Sequence, residues 1–345
     1  MTKRQNATIK DVAELANVSQ MTVSRVLNDQ DTVRDSTRKR VQTAMRELNY
    51  RPNIMARNLA GRSGLFIGLI YRNPSYGYLS EFLMGALNAC RELGHYLIVE
   101  EPLVDDNMVD LDLIEKRFLD TSVQALIVIP PLSDDPKLIE TLQSIGIPFV
   151  CVSPNPDLEI GLSVGMDDRD AAEDMTEYLL SMGHRRIALI TGPRDLVSSE
   201  LRLNGFKDAM GKHDLEIDPS LLVSGDFTYV SGMQAASELL SSDEPPTAIF
   251  ACNDDMASGA IAAAHKRGLD VPLDVSVVGF DDTANASAMW PPLTTVRQPI
   301  REMAHSAIKS LAKSVGKDAA LATESQTLDY ELIVRKSAGP PKQSD

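Results

Sequence analysis

Three cysteines in 345 residues, Cys90, Cys151 and Cys252, stand far apart and odd in number. They make neither a CxxC pair nor a disulfide framework, so a reduced compartment and three small buried apolar residues are expected. Nothing approaches the roughly 20 consecutive apolar residues a membrane-spanning helix needs. The opening Met1-Thr2-Lys3-Arg4-Gln5-Asn6 leads into polar sequence without an apolar h-region, so no secretory signal is expected and the cytoplasm is the expected location. Catalytic signatures are missing as well: there is no GxGxxG fingerprint, P-loop, nucleophile elbow or pair of histidine ligands. The oxygen-rich cluster Asn253-Asp254-Asp255 lacks the spacing of a calcium loop, and helix capping explains it better. No enzyme activity, catalytic residue, metal or cofactor is expected.

The net charge of −15 at first argues against nucleic acid, but its distribution reverses that reading. Residues 1–65 carry 12 Lys+Arg against 6 Asp+Glu, while the remainder carries 22 against 43. A small basic head on an acidic body is the pattern of a nucleic-acid binder whose body repels non-specific DNA. The length predicts two or three domains.

The head reads as three short helices. Thr8 is a good N-cap for a helix from Ile9, with Asp11 at its positive end and Ile9, Val12, Ala13 and Ala16 on one face. Asn17-Val18-Ser19 breaks it. Ser19 then caps a helix from Gln20 to Leu27 that buries Val23, Val26 and Leu27 and turns Gln20, Met21, Thr22, Ser24, Arg25 and Asn28 outward. A third helix, from about Asp35 or Ser36, presents Val41, Met45 and Leu48 inward. This is a helix-turn-helix arrangement. Pro52 and Gly61 suit the start and end of a short linker helix, too short to be stable without a partner subunit or DNA.

From Leu65 short apolar strands alternate with amphipathic helices. Strands are expected at Phe66–Ile70, Tyr96–Glu100, Ala125–Ile129 and Phe149–Val152, with helices near Glu81–Leu93, Met108–Leu119 and Lys137–Ile145. A second series places strands at Ile187–Thr191, Leu221–Ser224, Ala248–Ala251 and Val275–Gly279. Its helices lie near Asp170–Met182, Glu200–Lys212, Val230–Leu240 and Asp254–Arg267. Ile300–Val315 reads as a further helix and Leu328–Val334 as a last strand. The rhythm predicts an α/β body of two similar parallel-sheet lobes, with ligand bound beyond the carboxyl ends of the strands. The tail from Ser337, with Gly-Pro-Pro, is expected to be disordered.

The stretch Thr8-Ile9-Lys10-Asp11-Val12-Ala13 through Val18-Ser19, then Thr22-Val23-Ser24-Arg25-Val26-Leu27-Asn28, Arg51-Pro52-Asn53 and Ala56-Arg57-Asn58-Leu59-Ala60, carries a resemblance. So do Gly183-His184, Gly192-Pro193, Asn253-Asp254-Asp255-Met256-Ala257, Val278-Gly279-Phe280-Asp281-Asp282 and Pro292-Leu293-Thr294-Thr295-Val296. Over roughly residues 7–336 the chain resembles the lactose repressor and galactose repressor family of bacterial transcription factors. A helix-turn-helix alone is a weak signal; this ordered set is specific.

The resemblance implies that the second helix enters the major groove, with Gln20, Met21 and Arg25 reading bases. It implies that Ser19, Thr22, Asn28, Tyr50 and Asn53 hold the duplex mainly through phosphates, that Ser24 and Ala56 complete the DNA-facing set, and that Leu59 wedges into the minor groove. Met21 departs from the polar or small residue common there, so base preference at that pair should differ. The implied body is a periplasmic-binding-protein-like pair of lobes crossed three times. The expected divisions are 1–50 for the head, 51–63 for the hinge helix, and 64–336 for the effector-binding and dimerisation domain. Within it the first lobe takes about 64–162 and 297–320, the second about 163–296 and 321–336, and 337–345 is the tail. Arg202, Asn253 and Asp281 are implied as polar effector contacts, Phe227 as an apolar platform and Tyr78 as a first-lobe aromatic face. Cys151 stands where some sugar-responding relatives carry an acid, which argues against a simple galactoside. His184 is read as a helix-terminus residue and Asp282 as structural. The implied partners are a near-palindromic double-stranded operator, a small polar effector of carbohydrate type and a second copy of the chain, with no membrane. A solute-binding transport component and a doubly wound enzyme are the competing classes; the basic head argues against the first and the missing signatures against the second.

Overall fold

The computed structural model describes residues 7–27, 33–50, 64–100, 122–315 and 324–342, together with 104–105, 108–109 and 116. Two compact units emerge, Met1–Gly64 and Leu65–Asp345.

In the first unit, Thr8 opens α1 (Ile9–Leu15) with a capping box. Its hydroxyl accepts from the Asp11 amide, and Asp11 Oδ2 accepts from the Thr8 amide at 2.7 Å, so two orphaned donors are satisfied reciprocally. Asn17, at φ 51°, turns the chain. Ser19 Oγ accepts from the Thr22 amide at 3.1 Å and opens α2 (Gln20–Leu27). The third helix, α3 (Asp35–Glu47), buries Val41 and Ala44, with Met45 and Leu48 packed at the margin. Val12, Val23 and Val41, one from each helix, have no exposed surface and meet at the centre. Each contributes about 1.5–3 kcal/mol by its burial. Asn28 and the expected hinge helix, with Asn53, Ala56 and Leu59, lie outside the described residues.

The second unit alternates strand and helix as the apolar rhythm predicts. Its first lobe opens with β1 (Phe66–Ile70), α4 (Tyr76–Leu93), β2 (Tyr96–Glu100) and a small ladder of β3 (Val104–Asp105) and β4 (Met108–Val109). It continues through β5 (Ala125–Val128), α5 (Pro136–Ile145), β6 (Phe149–Val152) and β7 (Leu162–Gly165). The chain crosses to the second lobe for α6 (Asp168–Ser181), β8 (Ile187–Thr191), α7 (Val197–Lys212), β9 (Leu222–Ser224) and α8 (Tyr229–Leu239). There follow β10 (Ala248–Ala251), α9 (Asp254–Lys266), β11 (Ser276–Asp281), the short α10 (Ala284–Ala288) and β12 (Thr294–Arg297). It returns as α11 (Ile300–Ser314), packed on α4, then β13 (Glu324–Thr327), and crosses last to β14 (Glu331–Ile333). Two six-stranded sheets result, ordered β13-β7-β6-β5-β1-β2 and β14-β12-β11-β10-β8-β9, parallel except where β14 joins β12. β5 and β10, at the middle of their sheets, are wholly apolar and wholly buried, as a strand covered on both faces requires.

Several expectations are corrected. Met108–Val109 is a strand, not the start of a helix, because it pairs with Val104–Asp105. Residues 324–327 belong to the first lobe, since β13 lies parallel to β7 with Glu324 opposite Leu162 and Thr327 opposite Gly165. The first crossing likewise falls after Gly165, because β7 pairs with β6. The tail is not disordered over 337–342. Ser337 is fully buried, its hydroxyl donating to Val277 O at 2.5 Å and accepting from the Thr294 amide at 2.8 Å. A glycine fixes one helix contact: a Cβ on Gly232 of α8 would stand 2.2 Å from Met256 O of α9, so only glycine allows that approach.

Candidate effector cleft and DNA-reading face

The turns that follow the strands of both lobes enclose a cavity of about 490 Å³, its open mouth included. Tyr78, Arg202, Phe227, Asn253 and Asp281, the five residues expected to contact an effector, all line it. Asp168 and Gln298, which sequence reasoning did not single out, line it too.

Arg202 projects from α7 and is buried. Its Nε and Nη2 reach Asp168 Oδ1 at 2.8 and 2.7 Å, and Nη1 donates to Cys252 O at 2.5 Å. Its guanidinium carbon lies 3.7 Å from the centre of the Phe280 ring. Desolvation of two charges is costly, and this pair offsets it with two N–H bonds to one carboxylate oxygen and the bond from Arg202 to Cys252 O. Burial nevertheless pushes the Asp168 carboxyl above its ordinary range, against the pull of Arg202. Two of the five guanidinium N–H groups have no partner among these bonds and are available to a ligand.

Asp281 ends β11 at φ 127°, and Phe227 (φ 66°) and Ser153 (φ 43°) also line the cavity with positive φ. Such backbone costs free energy in L-residues and collects at binding sites. Asp281 Oδ1 accepts from Gln298 Nε2 at 2.6 Å. Burial raises its pKa well above the carboxylate range; Arg202 opposes the shift and Asp254 adds to it. Asn253 caps α9: its Oδ1 accepts from the Met256 amide and its Nδ2 donates to Phe227 O, each at 2.9 Å. The side chain thereby holds the Phe227 turn, and one Nδ2 hydrogen remains. Tyr78 is 6% exposed, and its buried hydroxyl has no partner. Burial raises that hydroxyl's pKa, with Asp281 and Asp168 adding to the shift, so it stands neutral as a donor.

Other residues have structural duties. Asp254 accepts from the Thr283 amide at 2.7 Å and the Thr295 hydroxyl at 2.6 Å. Asp282 bridges Arg297 and Arg335 at 2.8 and 2.6 Å. His184 is buried between the Thr247 hydroxyl at 2.8 Å and Gly339 O at 2.9 Å. Cys151 lies in the first-lobe core, where burial pushes its thiol up to about 12. Among the described residues no cluster of three potential metal ligands occurs, and no helix is long and apolar enough to cross a membrane.

On the head, α2 turns Gln20, Met21 and Arg25 outward, with Met21 65% exposed. Arg25 Nη2 rests 3.6 Å from Met21 Sδ, one turn earlier. Ser19 Oγ lies 2.9 Å from Thr22 Oγ1 at the start of the helix, and Thr22, Ser24 and Tyr50 are half-buried beside this face.

Residues 8–53 match the bacterial regulatory proteins of the lacI family, and residues 176–338 match the periplasmic binding protein-like domain. The chain is 35% identical over 338 residues to the HTH-type transcriptional regulator DegA of Bacillus subtilis (strain 168), covering 96% of this chain and 98% of that one. The chain belongs to the lacI family. This lacI-family regulator is also 32% identical over 335 residues to the HTH-type transcriptional repressor CytR of Escherichia coli (strain K12), covering 96% of each. The lac repressor dimer bound to operator and the anti-inducer ONPF superposes with a TM-score of 0.83 at 31% identity, covering 97% of this chain and 100% of that one. The relatives are transcriptional regulators, and the chain is a DNA-binding transcriptional regulator of the same kind, with a helix-turn-helix head and a two-lobed ligand-binding body.

Proposed function

We propose that the chain is a homodimeric, cytoplasmic repressor that binds a near-palindromic operator and whose grip is set by a small polar effector of carbohydrate type held between its lobes. One observation carries the reading. The cavity gathers donors (Tyr78 and the Arg202 guanidinium), a carboxyl that can accept (Asp281), an amide (Asn253) and an apolar ring face (Phe227) from both lobes. Hydroxyl groups both donate and accept, and sugar C–H faces pack on aromatic rings. The transcriptional regulator CelR, solved as its cellobiose complex, and the ribose operon repressor of Escherichia coli (strain K12) point the same way.

On the head, Arg25 suits bidentate contact with guanine and Met21 suits a thymine methyl. A single head offers few contacts, and two-fold proteins match two-fold sites. Ser19, Thr22, Ser24, Tyr50, Asn28, Asn53, Ala56 and Leu59 complete the proposed DNA-facing set. An effector shifts operator affinity only by its preference for one lobe arrangement, typically worth about 1–3 kcal/mol.

Selection of random duplex DNA by the purified protein at near-physiological salt tests this. Enrichment of a near-palindrome, with and without pooled metabolites, is the expected result. Absence of any enriched sequence under both conditions contradicts it.

A further inference from the structure

Met21 and Arg25 are coupled on the outward face of α2. Arg25 Nη2 donates to Met21 Sδ at 3.6 Å, four positions back along the helix, and both side chains are exposed. Residues four apart share one helix face, so sulfur and guanidinium are neighbours there. A thioether is a weak acceptor. The contact orients the guanidinium and gives way when a stronger acceptor, such as the O6 and N7 edge of guanine, is offered.

The same sulfur is open to chemistry. Met21, 65% exposed, carries the most open sulfur among the described side chains, and Met84 on α4, 48% exposed, is second. Cysteine thiolates are ordinarily the first targets of an oxidant. Here Cys90, Cys151 and Cys252 are buried, and burial pushes their thiols up to about 11, about 12 and about 12. They keep their protons and lie out of reach, so an oxidant meets the Met21 thioether before any thiol.

Hydrogen peroxide and hypohalous acids oxidise a thioether by the same balance. The sulfur loses two electrons and gains one oxygen; the peroxide is reduced to water, or the hypohalous acid to halide with release of a proton. The product is a sulfoxide, polar and chiral where the thioether was apolar. Its oxygen is a strong acceptor one turn from Arg25, in competition with the guanine edge. The apolar surface that suits a thymine methyl is lost as well. Both changes fall on one reading face.

We propose that Met21 is an oxidation site that switches DNA reading, its sulfoxide engaging Arg25 and releasing the operator. This rests on the reading of α2 as the base-reading helix. The test treats the full-length protein with hydrogen peroxide or hypochlorous acid, maps the added oxygen by peptide mass spectrometry, and measures affinity for the selected operator by fluorescence anisotropy. Affinity should fall at least about fivefold, the lower end of what one bidentate base contact is worth. The loss should follow the fraction of Met21 oxidised and recover with methionine sulfoxide reductases acting on both epimers. Met21→Leu keeps the bulk and removes the sulfur, so treatment should leave its affinity where it was. Met84→Leu should lose as much as the wild type, and Arg25→Ala should lose less. Unchanged affinity with Met21 oxidised, a loss that persists in Met21→Leu or vanishes in Met84→Leu, or an equal loss in Arg25→Ala overturns the proposal. Bound operator should shield Met21 from the oxidant. If Met21 is oxidised equally on and off the operator and Arg25→Ala binds as the wild type does, the reading of α2 fails. If Arg25→Ala is weakened and oxidation of Met21 is silent, only the switch fails.

Discussion

Ser75 Oγ donates to Asp255 Oδ2 across 2.8 Å, and the two residues belong to different lobes. Ser75 is the N-cap of α4, so a second-lobe carboxylate sits at the positive end of a first-lobe helix. The bond exists only while the lobes stand as they do here. A charge-assisted hydrogen bond contributes roughly 1.5–3 kcal/mol. Asp255→Ala should therefore lower effector affinity by on the order of tenfold, measured calorimetrically. Unchanged affinity would mean that this contact does not hold the ligand-bound arrangement.

Arg25 carries the clearest reading of the head. Its guanidinium lies against the Met21 sulfur, exposed on the outward face of α2. Arg25→Ala should cost about 1–3 kcal/mol of operator affinity and relax discrimination at one base pair. Binding assays against the selected operator and its single-base variants decide it. A uniform loss across all sequences would instead mark a phosphate contact.

The second lobe depends on close helix approach. Gly232→Ala would put a Cβ 2.2 Å from Met256 O, a backbone atom that cannot step aside. Destabilisation at or above the upper end of the usual overpacking cost, about 1–3 kcal/mol, is expected in urea unfolding. Gly211→Ala is the control, because nothing lies within 4 Å of the added methyl; it should be neutral or stabilising by about 0.5–1 kcal/mol.

His184 makes stability pH-dependent. Burial lowers its pKa, partly offset by the hydrogen bond to Gly339 O. The folded protein thus takes up this proton less readily than the unfolded chain. Its contribution is present in full above the unfolded value of about 6.5 and is lost as pH falls from there through the lower folded value. Urea midpoints of the wild type should drop more steeply between pH 7.5 and pH 5.5 than those of His184→Gln. Parallel curves would show that the histidine does not contribute.

How much was legible beforehand depended on whether burial or pairing made the element. The strands at 66–70, 187–191 and 248–251 announce themselves, because a strand covered on both faces must be continuously apolar. β13 (Glu-Ser-Gln-Thr) has no apolar residue; an edge strand needs only backbone partners, here those of β7. Ser337 looked like coil because its anchoring is one hydroxyl bonded to two distant backbones. At the site, Arg202 and Asp281 came through the resemblance, but Asp168 was not singled out. Its role comes from meeting Arg202 across 34 positions, and its one local signal was a place at the start of α6. Tyr78 came through the resemblance, and only the fold shows that its hydroxyl is left without a partner.

The central claim is that occupancy of the cleft sets the grip on DNA. The most direct measurement is operator affinity, by fluorescence anisotropy, with and without the saccharide that binds tightest, in the wild type and in Asp281→Asn. The account predicts a 5- to 150-fold shift in the wild type, corresponding to about 1–3 kcal/mol of coupling. The variant should keep its ligand-free operator affinity and lose the response. A variant that responds as the wild type does would contradict the account.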